Sequence, residues 1–173
     1  MSQRPDPDPD LLDVVIEIPR GSRNKYEYDH EKAVMRLDRR LFSATVYPAD
    51  YGFVPDTLAE DGDPLDVLVL LEDPTFPGCW INARPVGLMW MEDEKGHDAK
   101  IICVEPNEPR NRDITELSDV QPELLAEIRH FFDMYKELEP GKESTVGAFE
   151  GRAAAWEEIR ACQARYAETP HRH

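Results

Sequence analysis

The sequence predicts an α+β, mainly β, domain: a compact barrel or curled sheet with two helices packed outside it. Three observations point there. Short alternating or continuous apolar stretches fill the chain as far as residue 106. From Pro122 the apolar period becomes that of a helix. A length of 173 residues suits one domain with a real core and is short for two.

The elements follow in order. Residues 1–10 are rich in Pro and Asp and are expected to form a flexible tail. "LLDVVIEIP" reads as a strand, with Leu12, Val14, Ile16 and Ile18 on one face and Asp13, Val15 and Glu17 on the other. "RGSRN" is a turn, and "KYEYD" alternates again, Lys25, Glu27 and Asp29 against Tyr26 and Tyr28. A hairpin through residues 20–24 would set Glu17 near Lys25 and Glu27. "AVMRLDR" is a further strand, and "YPADYGFVPDT" reads as a loop from its Pro and Gly. Residues 67–71 are five apolar residues in a row, a buried strand. "CWINARPVGLMWM" and "AKIICVEP" are two more strands, joined by the charged turn "EDEKGHD". After Pro122, the residues Leu124, Leu125, Ile128, Phe131, Phe132, Tyr135 and Leu138 recur at helical spacing, and "LEPGK" ends that helix. A second helix fits residues 150–167, with Trp156, Ile159 and Tyr166 on its apolar side. The expected organisation is a single domain over 11–168 and a polar tail at 169–173, with no internal repeat.

Charge narrows the function. Acidic residues outnumber basic ones 36 to 20, a formal charge of −16. Such a surface repels a phosphate backbone or an anionic membrane, and no Lys/Arg run offsets it. An anionic substrate would need cations between it and this protein. The three cysteines, Cys79, Cys103 and Cys162, form no CxxC pair and are expected to be reduced, small apolar residues. No apolar run approaches the ~20 residues that cross a bilayer, and the first residues do not resemble a signal peptide. The chain is expected to be soluble and cytoplasmic.

The segment "EDGDPLDVLVLL" crowds Glu60, Asp61, Asp63 and Asp66 against the start of an apolar strand. A solvated acidic turn is the ordinary meaning of a charge run. Three features argue for a site instead. The carboxylates stand at the mouth of a strand, Gly62 and Pro64 make the turn rigid, and a second acidic turn holds Asp93, Glu94 and Asp98. Carboxylates held close repel one another, and divalent cations relieve that repulsion. Hard cations such as Mg²⁺ take oxygen ligands from one or two carboxylates each and keep several waters. An EF-hand loop from Asp61 fails, because Leu65 falls at its fifth position and Asp66 at its sixth, where Gly is required. An aspartyl-nucleophile phosphatase places its DxD after an apolar strand, whereas here the strand follows. A DxD sugar transferase would need a nucleotide-binding α/β domain that this pattern lacks. Lys25, Arg39, Tyr47, Tyr51, Lys100, Tyr135 and Lys136 are scattered; singly they read as surface charge, loop-packing aromatics or helix stripe. His30, His97 and His130 lack metal-ligand spacing.

The blocks "VIEIPRGSRNKYEYD", "DRRLFSATVYPADYGFVPDTLAEDGDPLDVLVL", "ARPVGLMWMEDEKGHDAKIICV" and "HFFDMYKELEPGK" stand in the order and spacing of one family. Over residues 13 to beyond 142 the chain closely resembles the family I soluble inorganic pyrophosphatases of the short bacterial, actinobacterial type. The resemblance implies a five-stranded OB-like β-barrel flanked by two C-terminal helices, assembled as a homo-oligomer, in bacteria usually a hexamer. It implies hydrolysis of pyrophosphate to two phosphates with several Mg²⁺ ions, Mn²⁺ or Zn²⁺ being possible substitutes. Carried over by position, Asp61, Asp66 and Asp98 hold the tightest metal and Asp66 bridges to a second, with the hydroxide nucleophile between them. Asp63 accepts the proton from that nucleophile as general base. Asp93 and Asp98 hold a further metal that arrives with substrate, with Glu94 beside them, and Glu17 and Glu27 serve another. Lys25, Arg39, Tyr51, Lys100, Tyr135 and Lys136 bind the phosphate groups, and Tyr47 lines the cavity. Glu143 and Phe149 stand where many relatives carry tryptophan, which bears on local packing and not on the chemistry. His30, Lys95 and the 106–113 loop carry no assigned role.

Two other functions remain to be separated from this one. A Mg²⁺ hydrolase of nucleoside triphosphates or polyphosphate would need a base-binding pocket, for which the sequence shows no signal. A catalytically dead OB-like binding module should have lost some of these carboxylates or cations, and none is missing.

Overall fold

The computed structural model describes residues 8–94 and 96–170. The expected flexible tail falls mostly on residues 1–7, and the end of the polar tail on 171–173, outside the described residues. Eight strands and two helices follow in the order β1 (Leu12–Ile18), β2 (Asn24–Asp29), β3 (Val34–Arg40), β4 (Asp50–Phe53), β5 (Asp66–Leu70), β6 (Trp80–Asp93), β7 (Gly96–Val104), α1 (Pro122–Met134), β8 (Ser144–Gly151) and α2 (Arg152–Glu168). The main sheet runs β1-β4-β5-β7-β6-β8, and β1 also pairs with β6. Hydrogen bonding therefore passes from β1 through β4, β5, β7 and β6 back to β1, with β8 added outside β6. Strands β2 and β3 form a separate two-stranded ribbon. Among the described residues no helix is long and apolar enough to cross a membrane.

The continuous apolar runs of β5 and β7 are explained by burial on both faces. Val67, Val69, Ile101 and Cys103 pack in one core with Ile159 and Cys162 of α2. Leu68, Ile102 and Val104 point the other way, into a second core with Ile128, Phe131 and Phe132 of α1. Helix α1 starts at Pro122 in the first-turn position that suits a residue without an N–H. Cys103 and Cys162 are buried free thiols, as small apolar residues should be.

Several expectations need correction. The segment read as a loop from its Pro and Gly contains β4. Gly52 is there because β1 passes too close for a side chain: an added Cβ would lie 1.8 Å from the Val15 carbonyl oxygen. The hairpin between β1 and β2 does not form a ladder, since both edges of β1 are taken by β4 and β6, and β2 pairs with β3 instead. The charged turn between β6 and β7 is much shorter than "EDEKGHD", because both strands extend through its polar residues as far as Asp93 and Gly96. Helix α1 stops at Met134, and Leu138 is exposed. Strand β8, an edge strand with two glycines and little apolar alternation, was not expected. It occupies Glu150 and Gly151, so α2 begins at Arg152 and buries Ala155, Ile159 and Cys162. Trp156 packs at the margin of that core, and Tyr166 is only half-buried.

The close approach at Gly52 makes a specific demand. Gly52→Ala should destabilise the protein by about 3 kcal/mol or more, because a backbone carbonyl cannot yield as a side chain does. Urea unfolding of wild type and variant would measure it, and equal midpoints would refute the assignment.

Candidate active site

Two bulges, one turn and one parallel ladder build a polar cleft at one end of the sheet. The first bulge is in β1. Val15 pairs with Phe53 and Ile16 with Gly52, but Ile18 pairs with Tyr51, leaving Glu17 as the extra residue. A bulge bends its strand and re-aims a side chain. Here it directs Glu17 into the cleft, and it sends Ile18 to the α1 core while Leu12, Val14 and Ile16 stay in the α2 core. The four residues therefore do not share one face, as strict alternation had implied. The second bulge is in β3: Lys25 pairs with Arg39 and Tyr26 with Leu37, so Asp38 is extra.

The acidic turn closes on itself. The Ala59 N–H donates to the Asp63 carbonyl at 2.8 Å, and the Gly62 N–H donates to the Ala59 carbonyl at 3.1 Å. The Asp63 N–H donates to Asp61 Oδ1 at 3.0 Å. Gly62 has φ +89°, a conformation that other residues rarely adopt. Strands β5 and β7 then pair in parallel with Asp66 opposite Lys100, and Asp98 lies two residues before Lys100 on the same face.

The result is a cleft of about 540 Å³. Glu17, Glu27, Asp61, Asp63, Asp66, Asp93, Glu94 and Asp98 all line it. So do Lys25, Arg39, Tyr51, Lys100, Tyr135 and Lys136. Tyr47 does not: it is buried one layer behind, its ring 5.6 Å from that of Tyr51 and 4.6 Å from that of Phe131. The hairpin expectation survives as proximity, since the Tyr28 N–H of β2 donates to Glu17 Oε2 at 2.8 Å.

Each of these cations is held by carboxylates. Lys100 Nζ lies 2.9 Å from Asp66 and 3.5 Å from Asp98, and donates to the Tyr51 hydroxyl at 3.0 Å. Lys136 lies 3.2 Å from Glu94 and 3.5 Å from Asp93. Arg39 makes a two-pronged pair with Glu139, one arm at 3.1 Å, and reaches Asp38 at 2.7 Å. Lys25 lies 3.3 Å from Asp38.

Negative charge remains in excess, and it adds to the effect of burial in raising several of the carboxyl pKa values. Burial pushes the Asp98 carboxyl up to about 6, with Asp66, Asp93 and Asp61 adding to the rise and Lys100 opposing it. Burial pushes Glu17 up to about 7, against the Tyr28 hydrogen bond and with the help of Asp66 and Glu27. Asp61 is raised by burial and by Asp63 and Asp66. Burial works against the charge on Lys100, but Asp66, Tyr51 and Asp98 outweigh it and keep the ammonium protonated. Burial keeps the phenols of Tyr51 and Tyr135 protonated, hence able to donate.

Among the described residues no three carboxylate, imidazole or thiol groups are gathered into a ready-made metal site. The donor chemistry nonetheless fits hard divalent cations: the ligands are carboxylate oxygens, and their mutual repulsion is what an added cation would remove. Asp61, Asp66 and Asp98, with Asp93, Glu17 and Glu27, are the residues able to hold such ions.

Several residues in the cleft or directly behind it escaped the sequence reading. Asp38 enters through a bulge that no alternation pattern reveals. Glu139 sits in "LEPGK", where Pro and Gly signal only the end of a helix, yet it is buried against Arg39. Lys142 lines the cleft from the same segment. His30 is at the rim, with its ring 4.9 Å from that of Tyr28 and 5.0 Å from that of Phe53. The 106–113 loop contributes nothing to the cleft; the Arg84 guanidinium holds it through the carbonyls of Asn111 and Ile114.

Known proteins share this arrangement of chain. Residues 14–167 match the inorganic pyrophosphatase family. An inorganic pyrophosphatase of Methanosarcina acetivorans is 57% identical over 155 residues, covering 90% of this chain and 92% of its own. One from the actinobacterium Streptomyces coelicolor is 52% identical, covering 90% of this chain and 95% of its own. The crystal structure of the inorganic pyrophosphatase of Thermus thermophilus superposes with a TM-score of 0.90 at 51% identity, over 95% of this chain and 97% of that one. Matches of this extent leave no segment of the cleft outside the shared region, and the chain belongs to the inorganic pyrophosphatase family.

Proposed function

We propose that this chain hydrolyses inorganic pyrophosphate to two orthophosphates with the help of several divalent cations, Mg²⁺ first and Mn²⁺ or Zn²⁺ as substitutes. The observation that carries the reading is the cleft's mixed lining. Carboxylates able to hold cations stand within hydrogen-bond reach of lysine and tyrosine donors able to hold phosphate, as in the Asp66–Lys100–Tyr51 contact. Family membership supports it. The ring of pairings through β1, β4, β5, β7 and β6 supports a five-stranded OB-like barrel as the frame, in a single domain over 11–168.

Divalent cations on Asp61, Asp66, Asp93, Asp98, Glu17 and Glu27 would supply positive charge to the phosphoryl oxygens and lower the pKa of water from 15.7 towards about 7. The chain's own residues do the rest. Lys25, Arg39, Lys100 and Lys136 neutralise the phosphate groups, and the protonated Tyr51 and Tyr135 donate hydrogen bonds to them. Asp63 takes the proton of the attacking water as general base. Glu139 and Asp38 hold the Arg39 fork in place, Glu94 orients Lys136, and Tyr47 backs Tyr51. Little covalent chemistry is asked of the protein, because phosphoryl transfer is served mainly by positioning and charge neutralisation.

Phosphate release from pyrophosphate and from ATP, each with and without Mg²⁺, tests the reading. Turnover of pyrophosphate should require the metal, and ATP should be a poor substrate. Full activity after exhaustive chelation, or a preference for ATP, would overturn it. Metal binding should also stabilise the fold: at 100 times its dissociation constant Mg²⁺ adds about 2.7 kcal/mol. That corresponds to a rise in Tm of roughly 5–10 °C for a chain of this size, readable by calorimetry with and without chelator.

Asp63 and Asp66 are chemically alike and three residues apart, yet have different roles in this proposal. Asp63→Asn should lower turnover by about 10²–10⁴-fold, the usual worth of a general base, with little change in the Mg²⁺ concentration for half-maximal rate. Asp66→Asn should raise that concentration steeply and recover part of its rate at high metal. The reverse pattern in a Mg²⁺ titration would exchange the two roles.

The chain is proposed to work in the cytoplasm as a homo-oligomer, a hexamer. The large apolar side chains of Phe42, Phe76 and Trp80, each more than 60% exposed, supply surface for such contacts. Sedimentation of the dilute, metal-loaded protein should give an oligomer; a fully active monomer would refute it.

A further inference from the structure

Helix α2 lines no part of the cleft, yet it holds the stem of the acidic turn. Two sets of fastenings on that turn are made by other elements. Inside the turn, residues 59–63 bond to one another, as described above. On the strand side, the Val54 N–H donates to the Leu65 carbonyl at 2.9 Å, and Thr57 Oγ1 bridges the two chain ends, donating to the Val54 carbonyl at 2.6 Å and accepting from the Leu65 N–H at 3.0 Å. Between these sets lies Leu58, whose two backbone groups both go to α2. Its N–H donates to the Cys162 carbonyl at 3.0 Å, and its carbonyl accepts from Arg165 Nη1 at 2.7 Å.

The structure assigns Arg165 as a positioning residue that fixes the place of Asp61 and Asp63 through the Leu58 carbonyl. The assignment rests on the pyrophosphatase reading of the cleft. Three points carry it. The bond is short and charge-assisted, hence strong for its kind. Its base is rigid, since Ala155, Ile159 and Cys162 anchor the same helix in the core. Its acceptor is three residues from Asp61, and ligand geometry must hold to about half an ångström to bind productively. The other contacts of the guanidinium add little: Nη1 also reaches the Cys162 thiol of the same helix at 3.7 Å, and Glu60, 3.9 Å from Nη2, is 71% exposed. The helix therefore acts on the cleft through backbone, and no motif records it.

Arg165→Met keeps the aliphatic stem and removes the donor. Arg165→Lys keeps one donor. Arg160→Met, on an exposed residue of the same helix whose guanidinium lies 5.7 Å over the Trp156 ring, is the control. Mn²⁺ binding to metal-free protein is read directly from the free-Mn²⁺ electron paramagnetic resonance signal, and Tm is measured in chelator. Arg165→Met should weaken Mn²⁺ binding about tenfold and lower Tm in chelator by only a few degrees, leaving the protein folded at the assay temperature; Arg165→Lys should do less of both, and Arg160→Met neither. The Mg²⁺ requirement of the Met variant should rise, while its rate at saturating Mg²⁺ returns close to that of wild type. Equal Mn²⁺ affinity in wild type and Arg165→Met overturns the assignment, as does a loss that follows Tm alike in both methionine variants. If Arg165→Met does not fold, Arg165→Lys decides: weaker binding by protein still folded at the assay temperature supports the role, and equal binding refutes it. Wild type that binds no Mn²⁺ would sink the pyrophosphatase reading and this assignment together, whereas binding wild type with an equal variant sinks the assignment alone.

Discussion

Lys100 carries an ammonium into a place that water hardly reaches; the residue is 4% exposed. Burying a lone charge costs several kcal/mol, and only close partners of opposite sign make it tolerable. Asp66 is that partner, set opposite Lys100 by the parallel ladder of β5 and β7. Alternation along β7 places Asp98 beside them, and the same ladder runs on into the apolar residues of both cores. A slip of one residue in that register would turn Lys100 into the core beside α2 and Ile101 into the cleft. Packing of the two cores thus forbids the slip, and the charged pair inherits its precision from apolar contacts.

The remaining side chains reach the cleft because regular structure is interrupted at chosen points. In an unbroken β1, Glu17 would alternate with Ile16 and Ile18 and take up a ladder position. The bulge instead leaves it unpaired and turns it inward, where its carboxylate accepts the Tyr28 N–H. The bulge at Asp38 does the same for the β2–β3 ribbon, so Asp38 and Arg39 come to the cleft from consecutive positions. Irregularities of this kind cost ladder hydrogen bonds. They persist because the strands on either side are committed elsewhere: β1 has both edges paired, and the ribbon has only itself.

These interruptions also mark what could be read from the sequence. Strands β1, β5, β6 and β7 and both helices were legible because each buries a periodic apolar face or an unbroken apolar run; β2 was legible from its alternation of charged residues and tyrosines, although neither it nor β3 holds a buried residue. Strand β4 was hidden by Gly52, which looks like loop punctuation and is instead the mark of a close strand crossing. Strand β8 was hidden because an edge strand with one largely buried residue, Val146, has little period to show. Among site residues, those in "DGDPLDVLV" could be suspected from local charge and turn chemistry. Lys25, Arg39, Lys100 and Lys136 could not, because a single cation in a sequence says nothing of the carboxylate it will meet; family resemblance singled them out, and the structure brings them together. Glu139 and Arg165 lay beyond both kinds of reading, since Glu139 acts on Arg39, 100 positions away, and Arg165 acts through the backbone carbonyl of Leu58, 107 positions away.

The acidity of the whole chain then has a physical sense. A cleft built from lysine and arginine alone would hold phosphate product as firmly as substrate. Here each of Lys25, Arg39, Lys100 and Lys136 is paired with a carboxylate. An incoming anion must displace those carboxylates or be accompanied by cations that occupy them. In the proposed reaction substrate affinity would therefore be conditional on metal, and the freed carboxylates would re-form their pairs once the ions and phosphates had left. Retention would then be limited by the same internal ion pairs that hold Arg39 and Lys136 in position, so one set of contacts would both orient these side chains and weaken their grip on product.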